Sequence, residues 1–325
     1  MAVTRRAASV STRGMLVTLL VVTVAAPLMT GTNGYGLTDF LAAYTDPRVN
    51  YHAVRGNVAL RASFPPLNRS LTLVGRGPGG ARPVLDGRSR YGGIVLEADK
   101  NLTLVNLEMR NFRSVQGGGA AVRARSSEKI VLDRCVFRNN RAAGNGGAVN
   151  LVGVDESITR CVFEMNRSGG DGGGLWSEDD GFASIRSCVF KKNQAASRGG
   201  GAAFRRRFTT DINGCSFDGN KASGMGGGAI WFSRTGARLY DTRFSSNVGG
   251  QRGGAVRFDG SEQGTVRFCR GNTYSGNSAK NASSDNIYVS IPNVDDGISC
   301  TFCPSIPART VIDDNNNVNV TCRFC

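Results

Sequence analysis

The 325-residue chain carries 40 basic and 25 acidic residues, a formal charge of +15, with 44 glycines against 9 prolines. Abundant glycine without a Gly-x-y period excludes collagen, and 40% hydrophobic residues argue against a disordered chain. A basic balance favours polyanionic partners, and the single histidine, His52, argues against a histidine-based catalytic triad.

The chain opens with Arg5, Arg6 and Arg13, followed by an uncharged apolar run from Met15 to Met29. That run is short for a membrane span but fits the apolar region of a secretory signal, so residues 1–31 are expected to be removed. Small residues at Ala25-Ala26 and Thr30-Gly31 suit a cleavage site, and losing three arginines leaves 15 − 3 = +12. The alternatives are an uncleaved anchor and an organelle transit peptide. The localisation expected is secreted or extracellular, and the sequons at Asn68, Asn101, Asn281 and Asn319 become candidate glycosylation sites.

An N-terminal cap is expected over 32–70. Leu37, Phe40, Leu41 and Tyr44 recur at helical spacing behind Thr38, a candidate N-cap, and this helix would plug the N-terminal end of the repeat region. Short strands are predicted at Val54–Leu60, Leu71–Val74 and Ile94–Leu96. Gly75-x-Gly77-x-x-Gly80 resembles a dinucleotide fingerprint, but Pro83 comes next and no helix does, so it reads as a loop.

From about residue 100 the chain repeats itself with a period of about 27 residues. Cys135, Cys161, Cys188, Cys215, Thr242 and Cys269 mark one column, and Phe137, Phe163, Phe190, Phe217 and Phe244 a second. Asn140, Asn166, Asn193, Asn220 and Asn247 form a third. Glycine corners stand at Gly146-Gly147-Ala148, Gly172-Gly173-Gly174, Gly200-Gly201-Ala202, Gly227-Gly228-Ala229 and Gly253-Gly254-Ala255. Each repeat holds three runs too short for βαβ units but suited to the faces of a coil that stacks at ~4.8 Å per turn. The predicted fold is an all-β, right-handed parallel β-helix of seven or eight coils over 71–292. Phenylalanines should stack inside, asparagine amides should form a ladder, and glycines should supply positive φ at the corners. The column cysteines, in the slot of Leu107, read as buried thiols, and Asn166, if inward, cannot carry a glycan.

After Pro292 the composition changes to a tail, 293–325, with Cys300-x-x-Cys303 and Cys322-x-x-Cys325. The spacing suits a zinc ribbon in a reducing compartment; behind a signal peptide, disulfides among Cys300, Cys303, Cys322 and Cys325 are the reading, with no metal.

Phe-x-x-Asn paired with Gly-Gly-Ala-Ile/Val/Leu resembles the repeat of polymorphic outer-membrane proteins and related right-handed β-helix proteins of the pectin-lyase-like fold. The likeness covers about residues 100–290. Members on bacterial surfaces carry a C-terminal membrane barrel that has no counterpart here. The enzymes of the fold cleave acidic polysaccharides, with clustered aspartates or with calcium and an arginine base. The acidic cluster Glu178, Asp179 and Asp180, with Asp155-Glu156 one coil before and Arg206 one coil after, is the candidate that resemblance implies. It would hold Ca²⁺; outside this lyase alternative no cofactor is expected. The alternative for the same residues is a chain of exposed ion pairs between coils. Asp171-Gly-Gly-Gly resembles one turn of a calcium β-roll, but its neighbours Asn145, Arg198, Met225 and Arg252 supply no calcium ladder.

The residue two after each glycine corner gives a last column: Asn150, Trp176, Phe204, Trp231 and Arg257. Its neighbours Val149, Leu175, Ala203, Ile230 and Val256 are apolar, so alternation points the aromatics outward. Trp176, Phe204 and Trp231, with Arg257, Arg206 and Arg234 close by, are the expected glycan-binding stripe; the alternative is a self-stacked ladder that binds nothing. The functional expectation is a non-catalytic protein that binds an acidic extracellular or wall polysaccharide or acts in adhesion, with no nucleic acid as partner. The rivals are a polysaccharide lyase or hydrolase and a structural spacer.

Overall fold

In a computed structural model the described residues are 35–260, 266–280, 282–290, 300–302, 307–313 and 323–324. The signal-peptide and cleavage expectations, Asn281, Asn319 and the side chains of the four tail cysteines lie outside them.

The chain winds into a parallel β-solenoid with four strands in a full coil. Lys129–Asp133, Val136–Arg138, Arg141–Ala142 and Val149–Val152 make one such coil. The first strands of successive coils pair into an 11-stranded sheet, the second into nine strands, the short third into seven and the fourth into nine. That makes about nine turns rather than seven or eight, because pairing continues past both expected boundaries. At the N-terminal side Tyr51–Val54 pairs with Leu71–Gly75 and Val58–Ala59 with Val84–Asp86, as two strands around a corner rather than one. At the other end Cys300–Phe302 and Arg323–Phe324 add rungs to the first sheet, and Thr310–Asp313 to the fourth.

The interior is a set of one-residue columns. Phe137, Phe163, Phe190, Phe217 and Phe244 stack with centroids 4.6–5.4 Å apart, the column ending on Tyr274. Beside it runs the asparagine ladder. Asn193 Nδ2 donates to Phe163 O at 2.8 Å and to Asn220 Oδ1 at 3.0 Å, while Asn193 Oδ1 accepts the backbone N–H of Asn166 at 3.0 Å. The ladder continues one rung further than the sequence columns did, to Asn277. Each amide thus closes a corner whose backbone groups have no strand partner. Asn166 is fully buried in this ladder.

Cys135, Cys161, Cys188 and Cys215 are buried free thiols, as expected, each donating to carbonyls of its own and the preceding coil. Burial, with Cys135 and Cys188 on either side, pushes the Cys161 thiol well up. Cys269 is not in the column. Residue 242 pairs with 272 across an inserted stretch, and Asn272 fills the slot, its Oδ1 accepting Thr242 N–H. Cys269 is half-buried instead.

One corner is displaced from its expected position. Gly146, Gly172, Gly199, Gly227 and Gly253 all have φ between 62° and 71°, so the third corner is Gly199-Gly200-Gly201. Three consecutive glycines leave the frame ambiguous by one residue, and the positive φ resolves it.

Helix α1 (Leu37–Thr45) covers the N-terminal end of the coil. Gly36 rather than Thr38 is its N-cap, with the Asp39 carboxylate accepting the Gly36 N–H at 2.8 Å. Phe40 and Tyr44 are buried, and contacts run from Tyr44 to Phe64 at 4.9 Å and on to Phe112, at the head of the asparagine ladder. Gly75–Gly80 forms a 3₁₀ turn at Pro78–Gly80, and strand Val84–Asp86 comes after it.

Candidate anion-binding groove

The expected aromatic stripe is not a surface. The corrected register aligns Asn150, Trp176, Ala203, Trp231, Arg257 and Tyr288. Phe204 falls one position on, inside, stacked on Phe232 at 5.5 Å. The tryptophans do lie on the side of the fourth sheet away from the main core, but they are only 2% and 3% exposed. They stack on each other across Ala203 at 6.2 Å, and the Arg198 guanidinium sits 4.7 Å above Trp231. Trp231 Nε1 donates to Asp259 at 2.7 Å, and Arg257 binds the same carboxylate at 2.8 Å. This is a small second core roofed by the glycine-rich turns, and Arg257 is consumed in it.

The acidic cluster is a knot of ion pairs. Arg206 meets Glu178 at 2.9 Å and also holds Asp179, while Arg205 reaches Glu178 at 3.3 Å. Asp180 is exposed beside them. Arg234, one coil further on, is exposed. Among the described residues no group of three His, Cys, Asp or Glu stands close enough to hold a metal.

Beneath the knot lies a feature that sequence patterning did not reveal. Glu156 occupies an inward position of the first sheet, where the other coils carry Leu102, Ile130, Ala183, Thr210 and Ala237. Both its side chain and that of Arg207 are fully enclosed, 3.8 Å apart. Ser177 Oγ donates to Glu156 at 3.0 Å, and Arg207 donates to Val154 O at 2.7 Å and Asp179 O at 3.2 Å. Burial pushes the Glu156 carboxyl above its usual range, against the pull of Arg207 and Ser177. The guanidinium reaches back two coils to Val154 O, an oxygen that a Cβ at Gly181 would approach to 2.8 Å.

The groove that remains open lies on the short third sheet. Its outward column reads Arg113, Arg141, Arg167, Gln194, Lys221 and Val248, one residue per coil in register, all exposed. In each coil this residue comes directly after the ladder position, so the buried amide fixes the strand that presents it. Before the ladder stands a left-handed corner residue, among them Asn139, Met165 and Lys192 at φ 55°, 54° and 53°. The two columns enclose a groove of about 460 Å³, lined by Arg113, Arg141, Arg167 and Lys192 with Ser89, Asn139, Met165 and Gln194, and by no carboxylate.

The adjoining carboxylates are already engaged. Glu164 is held by Arg138 at 3.0 Å, Asp86 by Arg110 at 2.9 Å, and Asp218 accepts from Ser245 at 2.8 Å. Among the described residues none of Arg113, Arg141, Arg167, Lys192 and Lys221 has an ion pair or a side-chain hydrogen bond, in contrast to the arginines of the knot. Like charges on rungs ~4.8 Å apart repel by about 1 kcal/mol per pair even in water, so the ladder is a device that an anion would relieve. The signal for it was in the sequence: the residue after each ladder asparagine is basic or amide in four of five repeats, Arg141, Arg167, Gln194 and Lys221.

Residues 87–248 match a family model described as right handed beta helix region. That match covers the groove, the knot and the two tryptophans of the second core, and with the strand pairing it identifies the fold as a right-handed parallel β-helix. No curated protein and no solved structure matches the chain.

Proposed function

We propose that this protein is a secreted, non-catalytic β-helix that binds an acidic polysaccharide of the cell wall or extracellular matrix. One observation carries the reading: an in-register column of unpaired arginines, Arg113, Arg141 and Arg167, lines an open groove that holds no carboxylate. Guanidinium forks suit carboxylates and sulfates, and a polymer supplies many of them at once. The repeats are proposed to be of the polymorphic outer-membrane type, a reading supported by the asparagine ladder and the glycine corners. Secretion, glycosylation at Asn68 and Asn101, disulfides in the tail and a role in adhesion belong to the same proposal, supported by the N-terminal apolar run and the sequons.

The test is retention on immobilised polysaccharides at low salt, with and without calcium. Pectate, alginate or a sulfated glycan should retain the protein and a neutral glucan should not. Salt should elute it, and calcium should make no difference. No retention on any acidic polysaccharide would remove the proposal. A separate assay addresses catalysis: no unsaturated uronides should be released from pectate or alginate. Release that is lost in Glu178→Ala or Arg206→Ala would establish the lyase instead.

A further inference from the structure

The binding mode is constrained further than the ligand class. Resting on acidic-polysaccharide binding, we infer that the groove takes a linear polyanion laid parallel to the solenoid axis, with one anionic group read by each coil. Along the axis a ligand meets Arg113, Arg141, Arg167, Gln194 and Lys221 in succession, on rungs fixed by parallel strand pairing. The span from first to last is four intervals, about 19 Å at ~4.8 Å per rung. Lys192 flanks the same path from the corner column.

Across the axis the charge complementarity fails at once. On one side of Arg141 stand Asn139 and then Arg138, which is occupied by Glu164. On the other side stand Ala143 and Gly144, as Gly169 and Gly170 do beyond Arg167. A polymer lying crosswise over the Arg141 or Arg167 coil would therefore find one unpaired cation, and a polymer lying lengthwise finds four and an amide. The backbone holds these positions in register, so little ordering of the protein opposes binding beyond the side chains themselves.

The same surface separates an acidic glycan from a single-stranded nucleic acid. Proteins that hold single strands pair a basic track with aromatic faces on which bases stack. Here Phe112, the one aromatic in the groove wall, is fully buried, and the exposed apolar group is Met165. The groove reads charge spacing and offers no platform for a base.

The experiment is calorimetric titration of the full-length protein with size-defined oligogalacturonates from three to eight residues. Oligoadenylates of the same lengths are the comparison. Affinity for the glycan should rise at least tenfold between three and five residues and then level off. Arg141→Gln and Arg167→Gln should each weaken the pentamer several-fold and lower the slope of log affinity against log salt by about one. Arg243→Gln, an equal charge change at an exposed site on the second sheet, should do neither. Length-independent affinity, or equal losses in all three variants, would overturn the axial mode while leaving acidic-glycan binding standing. Absence of binding by every uronate oligomer would overturn both. Oligoadenylate binding as tight as the glycan would reassign the groove to nucleic acid.

Discussion

The asparagine ladder is the part of the fold that a single substitution tests most sharply. Asn193 satisfies the Asn166 N–H, the Phe163 carbonyl and its own neighbour's amide within a space closed to water. Asn193→Ala leaves a buried N–H and a buried carbonyl unpaired, each costing about 1–3 kcal/mol. We expect a loss of about 3 kcal/mol in denaturant unfolding and fast hydrogen exchange at the Asn166 amide. A loss under about 1 kcal/mol would mean that water replaces the side chain. The same burial bears on the Asn166-Arg167-Ser168 sequon: peptide mapping of protein secreted from a glycosylating host should find Asn166 bare, while exposed Asn68 is open to modification. These columns were legible in the sequence because stacking places chemically identical demands on every coil, and identical residues answer them. The exposed cation column is less legible because solvent makes no such demand, and Gln194 and Val248 interrupt it.

Elements within one coil show where sequence reading fails and why. The aromatic column slips by one residue in its third coil because Gly199-Gly200-Gly201 offers two equivalent frames, and a slip of one exchanges the two faces of a strand. Phe204 therefore went inside. Alternation puts the tryptophans on the outer side of the sheet, where they lie, but not bare: the turns that cover them come from a loop whose path no periodicity encodes. The Glu156–Arg207 pair was invisible for a related reason: an acid in an apolar column reads as a turn residue until its partner one coil beyond the next is in view. Its energetics are testable. Arg207→Met leaves a buried carboxylate without its cation and should cost about 3–5 kcal/mol, whereas Arg207→Met with Glu156→Leu should recover most of that loss. The pH dependence has a definite sign. Because burial raises the Glu156 carboxyl, the folded state holds a proton that the unfolded chain releases above its ordinary range near ~4. Stability from this group is complete below that range and declines as pH rises through the raised folded value. Glu156→Gln should flatten that decline in unfolding curves taken between about pH 4 and 8; an unchanged profile would show that Arg207 compensates fully.

For the whole molecule, the charge is distributed rather than merely large. Arg110, Arg138 and Arg205, on the second and fourth sheets, and Arg206 beside them are spent on carboxylates of a neighbouring coil, so a formal charge of +15 says little about them. The cations of the third sheet remain unspent, and they stand in a line. In a solenoid, coils are stabilised by their immediate neighbours, so repulsion between adjacent rungs acts directly on the interfaces that hold the stack together. The ladder should therefore be stabilised by salt, in contrast to the knot at Glu178 and Arg206, whose pairs salt screens. Replacing Arg113, Arg141 and Arg167 together with glutamine should raise the melting temperature at low ionic strength and reduce its gain on adding salt. A bound acidic oligomer should do for the wild type what the substitutions do for the variant. At a free concentration of about 100 times Kd, an oligomer that binds only the folded coil adds about 2.7 kcal/mol, read as a rise in melting temperature. The triple variant should show little of that rise, because the cations that anchor the ligand are gone. If instead wild type and variant are stabilised equally by the oligomer, the anion is held elsewhere on the solenoid and the third sheet is only its most crowded run of charge.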